Sequence, residues 1–365
     1  MTASPQRLEF ETLAGFTEDD ALAAFIAFRN WARAACAGQP PQTTAKPASP
    51  RLMALARAAC QASIADDAAA RRFFAGNFRP WRIVSDAADG SAFFTGYYEP
   101  VIDASLTQTA TFRAPALARP PDLVTFSAGE GPRGFDPTLA GARQLWDGEL
   151  VPYPDRATIE ASGGEPVAWL ADEVEVFFAQ VQGSARLRLA DGRRARLVYD
   201  GRNGRRYTSI GRLLVEGGEL QPGQATLAQL KNWLRANGLK PGDKGRALMQ
   251  RNASYVFFRL VEDVDPGLGP IGGAGIALTA LRSIAIDRTL WPYGLPFWID
   301  AVLPWENDEA TPFRQLMIAQ DAGSAIVGPA RADIFFGSGD AAGARAGAIR
   351  HRGTLVALTP LGDDP

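Results

Sequence analysis

Three aspartates stand where apolar runs end: Asp287 closes "SIAID", Asp321 follows "LMIAQ", and Asp333 precedes "IFFG". A carboxyl group at a strand end can carry a proton to or from a substrate, and such ends are where folds display functional groups. The same placement suits an Asx-turn, in which the carboxylate only satisfies nearby backbone N–H groups. Gly323, Ser324 and Gly328 leave little bulk beside Asp321, so a large ligand can approach the chain there. Type and spacing alone leave both readings open.

A second set is aromatic and polar. It comprises Tyr97, Tyr98 and Glu99 in "FFTGYYEP", Gln180, Gln182 and Ser184 in "AQVQGSAR", and Arg202, Asn203, Tyr207 and Ser209 in "GRNGRRYTSIG". Aromatic faces edged by amides and hydroxyls suit sugar rings, while simple strand alternation with inward rings accounts for the same residues without a ligand. Nine arginines between Arg186 and Arg212, against Asp191 and Asp200, form a basic stripe fit for an oligonucleotide or an anionic polysaccharide. The glycines of "GPIGGAG", residues 269–275, lack a following Lys-Ser/Thr and a helix, which excludes a phosphate-cradling loop.

Composition narrows the chemistry further. One histidine, His351, excludes a His-rich metal centre, and any Ser-His or Cys-His mechanism would depend on that residue alone. Cys36 and Cys60 match no zinc spacing, and a disulfide and two free thiols are equally open. We therefore expect neither metal nor cofactor. A formal charge of −2 over 365 residues gives no overall polyanion-binding signature. No apolar run reaches the length of a transmembrane helix. The start, "MTASPQRLEF", has no export signal or lipid-attachment cysteine, which fits an intracellular chain or a mature form with its signal removed.

The elements that must position these residues divide in type. Residues 17–77 read as helical, with Thr17 and Asp20 making a capping-box-like start, Ser49-Pro50 opening a second helix, and "DDAAARRFF" ending a third near Gly76. From about Ala92 short β-rich runs take over, among them "AFFTGYYEPVI", "EVEVFFAQVQG", "ARLRLADGRRARLVY" and "YTSIGRLLVEGG". Asp191-Gly192 marks a hairpin, and "ATLAQLKNWLRANG" is a helix capped by Thr226 and stopped at Gly238. Strand runs resume with "SYVFFRLV", "SIAIDRTLW", "LPFWIDAVL", "FRQLMIAQD", "DIFFG" and "TLVALTP". Many short strands favour barrels over a doubly wound sheet.

Taken in order, "FTGYYEP", "YPDRATIE", "FFAQVQGSARLRLADG", "YDGRNGRRYTSIGRLL", "NASYVFFR", "PIGGAGIALTALRSIAIDRTLWPYGLPFWI" and "MIAQDAGSAIVGPARADIFFGSG" resemble the MltA family of murein lytic transglycosylases, over roughly residues 80–358. The last part resembles the 3D domain, named for three aspartates, here Asp287, Asp321 and Asp333. The resemblance implies a mainly β fold with N-terminal helices. A double-psi β-barrel would form from residues 1–100 and 262–365, a second β-barrel of residues 101–261 would be inserted in it, and a groove would run between the two. It implies cleavage of the β-1,4 bond between N-acetylmuramic acid and N-acetylglucosamine without water, leaving a 1,6-anhydromuramoyl end. Asp333 would be the single acid and base, supported by Asp321 and Asp287, with Arg331 expected to turn toward the glycan or another acid.

Glycan contacts would come from Tyr97, Tyr98, Glu99, Gln182, Ser184, Arg202, Tyr207, Ser209, Gly323 and Ser324. Glu99 and Ser324 depart from the Thr and Gly that other members carry. The partner would be peptidoglycan glycan strands, alongside proteins of cell-wall synthesis or remodelling, with no nucleic acid and a monomeric chain. The place would be the periplasmic side of the envelope, at the outer membrane if a lipidation signal has been removed. Two other readings stand beside this one: a hydrolase on the same scaffold using Asp321 or Glu99 as second carboxylate, and a non-catalytic glycan- or nucleic-acid-binding barrel.

Overall fold

The computed structural model describes residues 5–126, 131–221, 225–262, 265 and 267–365. They form two compact units, one of Met1–Tyr98 with Pro266–Pro365 and one of Glu99–Asp265. No helix among the described residues is long and apolar enough to cross a membrane.

In the first unit three α-helices precede every strand of the sheet except Gln6–Arg7. Each starts where a short polar side chain satisfies an otherwise orphaned N–H group. Asp20 accepts from Ala23 at Ala21–Cys36, Ser49 from Leu52 at Pro50–Gln61, and Asp66 from Ala69 at Asp67–Asn77. The first cap is therefore Asp20, not Thr17, which lies in the preceding turn. The first and third helices meet over a cluster of Phe25, Phe28, Phe73, Phe74 and Phe78, whose rings pack edge-to-face or tilted at 5.0–6.4 Å. Cys36 and Cys60 are free thiols.

The sheet of this unit runs Gln6–Arg7, Phe78–Ile83, Arg350–Pro360, Pro296–Leu303, Thr311–Asp321, Ser283–Ile286, Arg331–Ser338 and Ala92–Glu99. Ala92–Glu99 pairs back onto Arg350–Pro360, Thr95 opposite Arg350, so six of the strands form a closed ring. Closure removes exposed edges and leaves Ser283–Ile286, buried at every position, between the two strands that carry Asp321 and Asp333. Glycine lets the ring take its cover: a Cβ on Gly96 would lie 2.8 Å from the backbone of Ala346, in the Asp340–Ala348 helix.

The second unit holds a six-stranded sheet in the order Val256–Glu262, Arg194–Arg202, Ser184–Leu189, Val101–Ser105, Pro166–Leu170 and Ala114–Leu117. A separate three-stranded sheet comprises Leu123–Thr125, Gly141–Gln144 and Leu150–Pro152. No hydrogen-bonded ladder joins the two ends of the larger sheet among the described residues, although residues of its two end strands, Val256–Glu262 and Ala114–Leu117, come within 8 Å of one another. The Asp191-Gly192 hairpin is present, Arg188 facing Arg194 across it. Thr226 caps Leu227–Ala236 with a full capping box to Gln229.

Two runs expected as strands are helices. "EVEVFFAQVQG" forms Glu173–Gln182, because Asp172 caps it and Val174, Phe177 and Phe178 recur at helical spacing against Leu214, Leu234 and Met249. "YTSIGRLLVEGG" forms Ile210–Glu216, with the Ser209 hydroxyl accepting from Arg212 N–H.

Candidate active site

Ala285 fixes the level at which the acids stand. Asp321 is its register partner on one side and Asp333 on the other, so both carboxylates project from the same face. Two inter-strand spacings separate their backbones, about 10 Å. The next strand beyond Asp333 adds Thr95 and Tyr97, which alternate onto one face.

Asp333 is half-buried, and its Oδ1 accepts the Thr95 hydroxyl at 2.5 Å. Thr95 in turn accepts from Arg331 Nη2 at 2.7 Å. Of the two partners expected for Arg331, no acid is paired with it among the described residues. Its guanidinium lies over the Phe93 ring at 5.2 Å and donates to the carbonyls of Phe93 and Ala332. The cation thus reaches Asp333 through a hydroxyl and not by direct ion pairing. Burial pushes the Asp333 carboxyl up to about 6; Arg331 and the Thr95 hydrogen bond oppose this, and Asp321 adds to it.

Asp321 is held differently. Oδ1 accepts from the backbone N–H groups of Gly273 at 2.7 Å and Ala322 at 2.8 Å, and Oδ2 accepts the Tyr97 hydroxyl at 2.8 Å. Burial raises its carboxyl above the ordinary value against the pull of those three donors. Burial and Asp321 together hold the Tyr97 phenol well above its usual value, so it stays a donor. Gly273 belongs to the glycine run 269–275, and a Cβ there would lie 2.3 Å from the Tyr293 hydroxyl and 2.7 Å from Thr43 Oγ1. Gly273 thus brings its N–H to the Asp321 carboxylate at a place where a side chain would collide with Tyr293 and Thr43. Gln320 ties the strand to the first helix, donating to Ala27 O at 2.7 Å and accepting from Ser283 at 2.5 Å.

Asp287 is held by its own turn and by the loop at Gly328. Its Oδ1 accepts the N–H and hydroxyl of Thr289, and Oδ2 accepts from Gly328 N–H at 2.7 Å. Trp291 Nε1 donates to Pro329 O at 3.0 Å. The Asx-turn reading describes Asp287: it pins the loop that leads into the Asp333 strand. Gly323 and Ser324 are exposed in the turn after Asp321.

The remaining expected contacts divide by exposure. Tyr98 is buried, its ring against Gly343. Glu99 is fully buried and paired with Arg196 at 2.5 Å and Arg186 at 3.0 Å, so the expectation that it faces a ligand is corrected. Ser184 is buried, whereas Gln182 and Arg202 are half-buried and Tyr207 is 36% exposed. Gln180 is buried between Arg156 and Val256 O, and Asn203 between the Pro154 and Ala253 carbonyls. Much of the arginine stripe is likewise occupied: Arg188 pairs with Asp103, Arg193 with Asp191 and Glu262, and Arg212 with Glu216. Among the described residues no group of three or more His, Cys, Asp or Glu is placed to hold a metal ion.

Known proteins share this architecture. Residues 93–259 match the MltA specific insert domain, and residues 282–359 match the 3D domain. The chain is 29% identical over 282 residues to the membrane-bound lytic murein transglycosylase A of Escherichia coli K12, covering 76% of this chain and 68% of that protein. Its identity to the Vibrio cholerae protein of the same description is 30% over 277 residues, 74% of this chain and 66% of that one. The crystal structure of a membrane-bound lytic murein transglycosylase from Agrobacterium tumefaciens superposes with a TM-score of 0.86 at 35% identity, over 98% of each chain. That of MltA from Neisseria gonorrhoeae gives 0.77 at 26% identity, over 99% of this chain and 94% of that one. The protein belongs to the MltA family of lytic murein transglycosylases, enzymes that act on peptidoglycan.

Proposed function

We propose that this enzyme cleaves the β-1,4 bond between N-acetylmuramic acid and N-acetylglucosamine with Asp333 as the only proton carrier. In the first step the Asp333 carboxyl protonates the glycosidic oxygen as the bond to C1 breaks. In the second the resulting carboxylate takes the proton of the same sugar's C6 hydroxyl, whose oxygen bonds to C1. The product is a 1,6-anhydromuramoyl end, no water is consumed, and Asp333 is returned to its starting state. The observation that carries this reading is the Asp333 environment: a carboxyl lifted to about 6 by burial, hydrogen-bonded to a neutral hydroxyl and not to a cation.

A two-carboxylate hydrolase needs a second acid free to attack or to activate water. Both oxygens of Asp321 already accept donors, and both of Asp287 do as well. Glu99 is enclosed by two arginines. Asp321 then acts through its charge, and Asp287 by positioning. We read the closed ring as the double-psi barrel, with the glycan strand passing the exposed Gly323 and Ser324. The chain would work as a monomer on the periplasmic side of the envelope.

Mass spectrometry of digested murein tests the reaction, since anhydro ends are lighter than reducing ends by one water. Anhydro ends support it, and reducing ends alone would overturn it.

A further inference from the structure

The Glu99–Asp265 unit holds a cavity of about 90 Å³, room for several water molecules or a small molecule of a few heavy atoms. Its walls come from the Ala114–Leu117 strand, the helices Arg156–Ser162, Glu173–Gln182 and Lys244–Gln250, and Tyr255. Pro115, Leu117 and Val176 make an apolar side, and Arg156, Glu160, Glu173 and Arg246 a charged one. Two cations and two anions balance, so the cavity suits a zwitterion better than an ion of either sign.

These four charges are unequally engaged. Arg156 is enclosed: its guanidinium lies over the Phe177 and Tyr255 rings at 4.7 and 5.1 Å. It donates to Asn252 O at 2.9 Å, to Ser254 O at 2.6 Å and to Gln180 Oε1 at 2.6 Å. Glu160 accepts from Gln250 at 2.9 Å and from Arg156 at 3.5 Å. Arg246, by contrast, has its nearest carboxylate oxygen among the described residues on Glu160 at 3.8 Å, beyond hydrogen-bond reach, although its side chain is only 18% exposed. Glu173 opens its helix and lines the same cavity. Arg246 and Glu173 thus line one cavity beside a small apolar surface.

We infer that this cavity binds an amino-acid zwitterion or the charged end of a short peptide. The ligand carboxylate sits on the Arg246 fork, its ammonium on Glu173, and a small side chain such as a methyl on Pro115, Leu117 and Val176. Free amino acids and the short peptides attached to murein glycan share that chemistry. Only the naming of murein peptides as a source rests on the proposed function.

Calorimetry with the full chain and glycan-free ligands tests the site separately from cleavage. Alanine, alanylalanine and a murein tetrapeptide are titrated into the wild type and into Arg246→Gln and Glu173→Gln, each first checked for an unchanged unfolding curve. Arg246→Lys, which keeps the charge and loses the fork, is the second probe. We expect saturable binding at millimolar concentrations or tighter, weakened about ten-fold or more in each Gln variant and lost for an N-acetylated, C-amidated dipeptide. Tighter binding of the tetrapeptide assigns the site to murein peptides; equal binding of alanine assigns it to free amino acids. No saturable binding up to roughly 10 mM, or binding unchanged in both Gln variants, overturns the inference.

Discussion

Glu99 and Asp333 are both carboxylates withdrawn from water, yet their surroundings differ in the one respect that decides their chemistry. Glu99 meets two guanidinium groups at 2.5 and 3.0 Å. Asp333 meets a hydroxyl, with the nearest arginine one hydrogen bond further away. Breaking a buried pair between a carboxylate and guanidinium groups strands the partners' charge. A buried carboxyl without a direct cation holds its proton more tightly than in water. The first arrangement stabilises a fold, and the second keeps a proton available for transfer.

Asp333→Asn and Glu99→Gln should therefore fail in opposite ways. Asp333→Asn removes the proposed proton carrier, and cleavage should fall by roughly 10³-fold or more. The same variant should be more stable than wild type at neutral pH. The folded-state value of about 6 lies above the ordinary 3.8, so the proton's stabilising contribution is complete below about pH 4 and lost as pH rises through 6. At pH 7.5 the gain in the variant should approach about 2–3 kcal/mol, vanishing near pH 4, as urea unfolding would measure. Glu99→Gln should instead cost about 3–5 kcal/mol, because Arg186 and Arg196 keep their charge in a buried site. An Asp333→Asn chain less stable than wild type at pH 7.5 would erase the distinction between the two acids.

The pH profile extends the same contrast. With Asp333 as the starting acid, kcat/KM should decline above about pH 6, because the protonated fraction declines there. Cleavage rate measured on soluble glycan between pH 4 and 8 reads this directly. A rate that rises through pH 6 would require a carboxylate as the starting form and would sink the assignment.

Part of this was visible in the sequence. The apolar runs before Asp321 and after Asp333 carry the signature of buried strands, and Asp191-Gly192 has turn chemistry that only a tight hairpin uses well. The supporting shell was not visible, because it is assembled by the fold. Thr95 lies 238 residues from Asp333, and Gly273 lies 48 from Asp321. Neither has a local pattern that points to a carboxylate. Val174, Val176 and Phe178 alternate as a strand would, and only the Asp172 cap with Phe177 on the packed face marks the helix. Glu99 read as a glycan contact beside two tyrosines, since its arginines arrive from strands 87 and 97 residues onward.

Thr95→Val probes the hydroxyl that separates Asp333 from Arg331. Valine keeps the shape and removes the donor, so the Asp333 carboxylate loses its one described hydrogen bond and the alkaline limb should move upward by about one unit or less. Movement downward would mean that Arg331, released from Thr95, had turned onto the acid and made it resemble Glu99.

Tyr97→Phe should have the smallest effect, and its sign is informative. The ring contact with Phe335, centroids 5.3 Å apart, survives the change, and Asp321 keeps its two backbone donors. What is lost is one hydrogen bond to the charged form of Asp321, so that carboxyl should hold its proton more readily. A protonated Asp321 no longer repels the Asp333 carboxylate, which is one of the effects that raise Asp333. The alkaline limb of cleavage should then move downward, by a fraction of a unit. An upward or absent shift would mean that Asp321 supports the ring by its hydrogen bonds alone, and that its charge contributes nothing to the acid opposite.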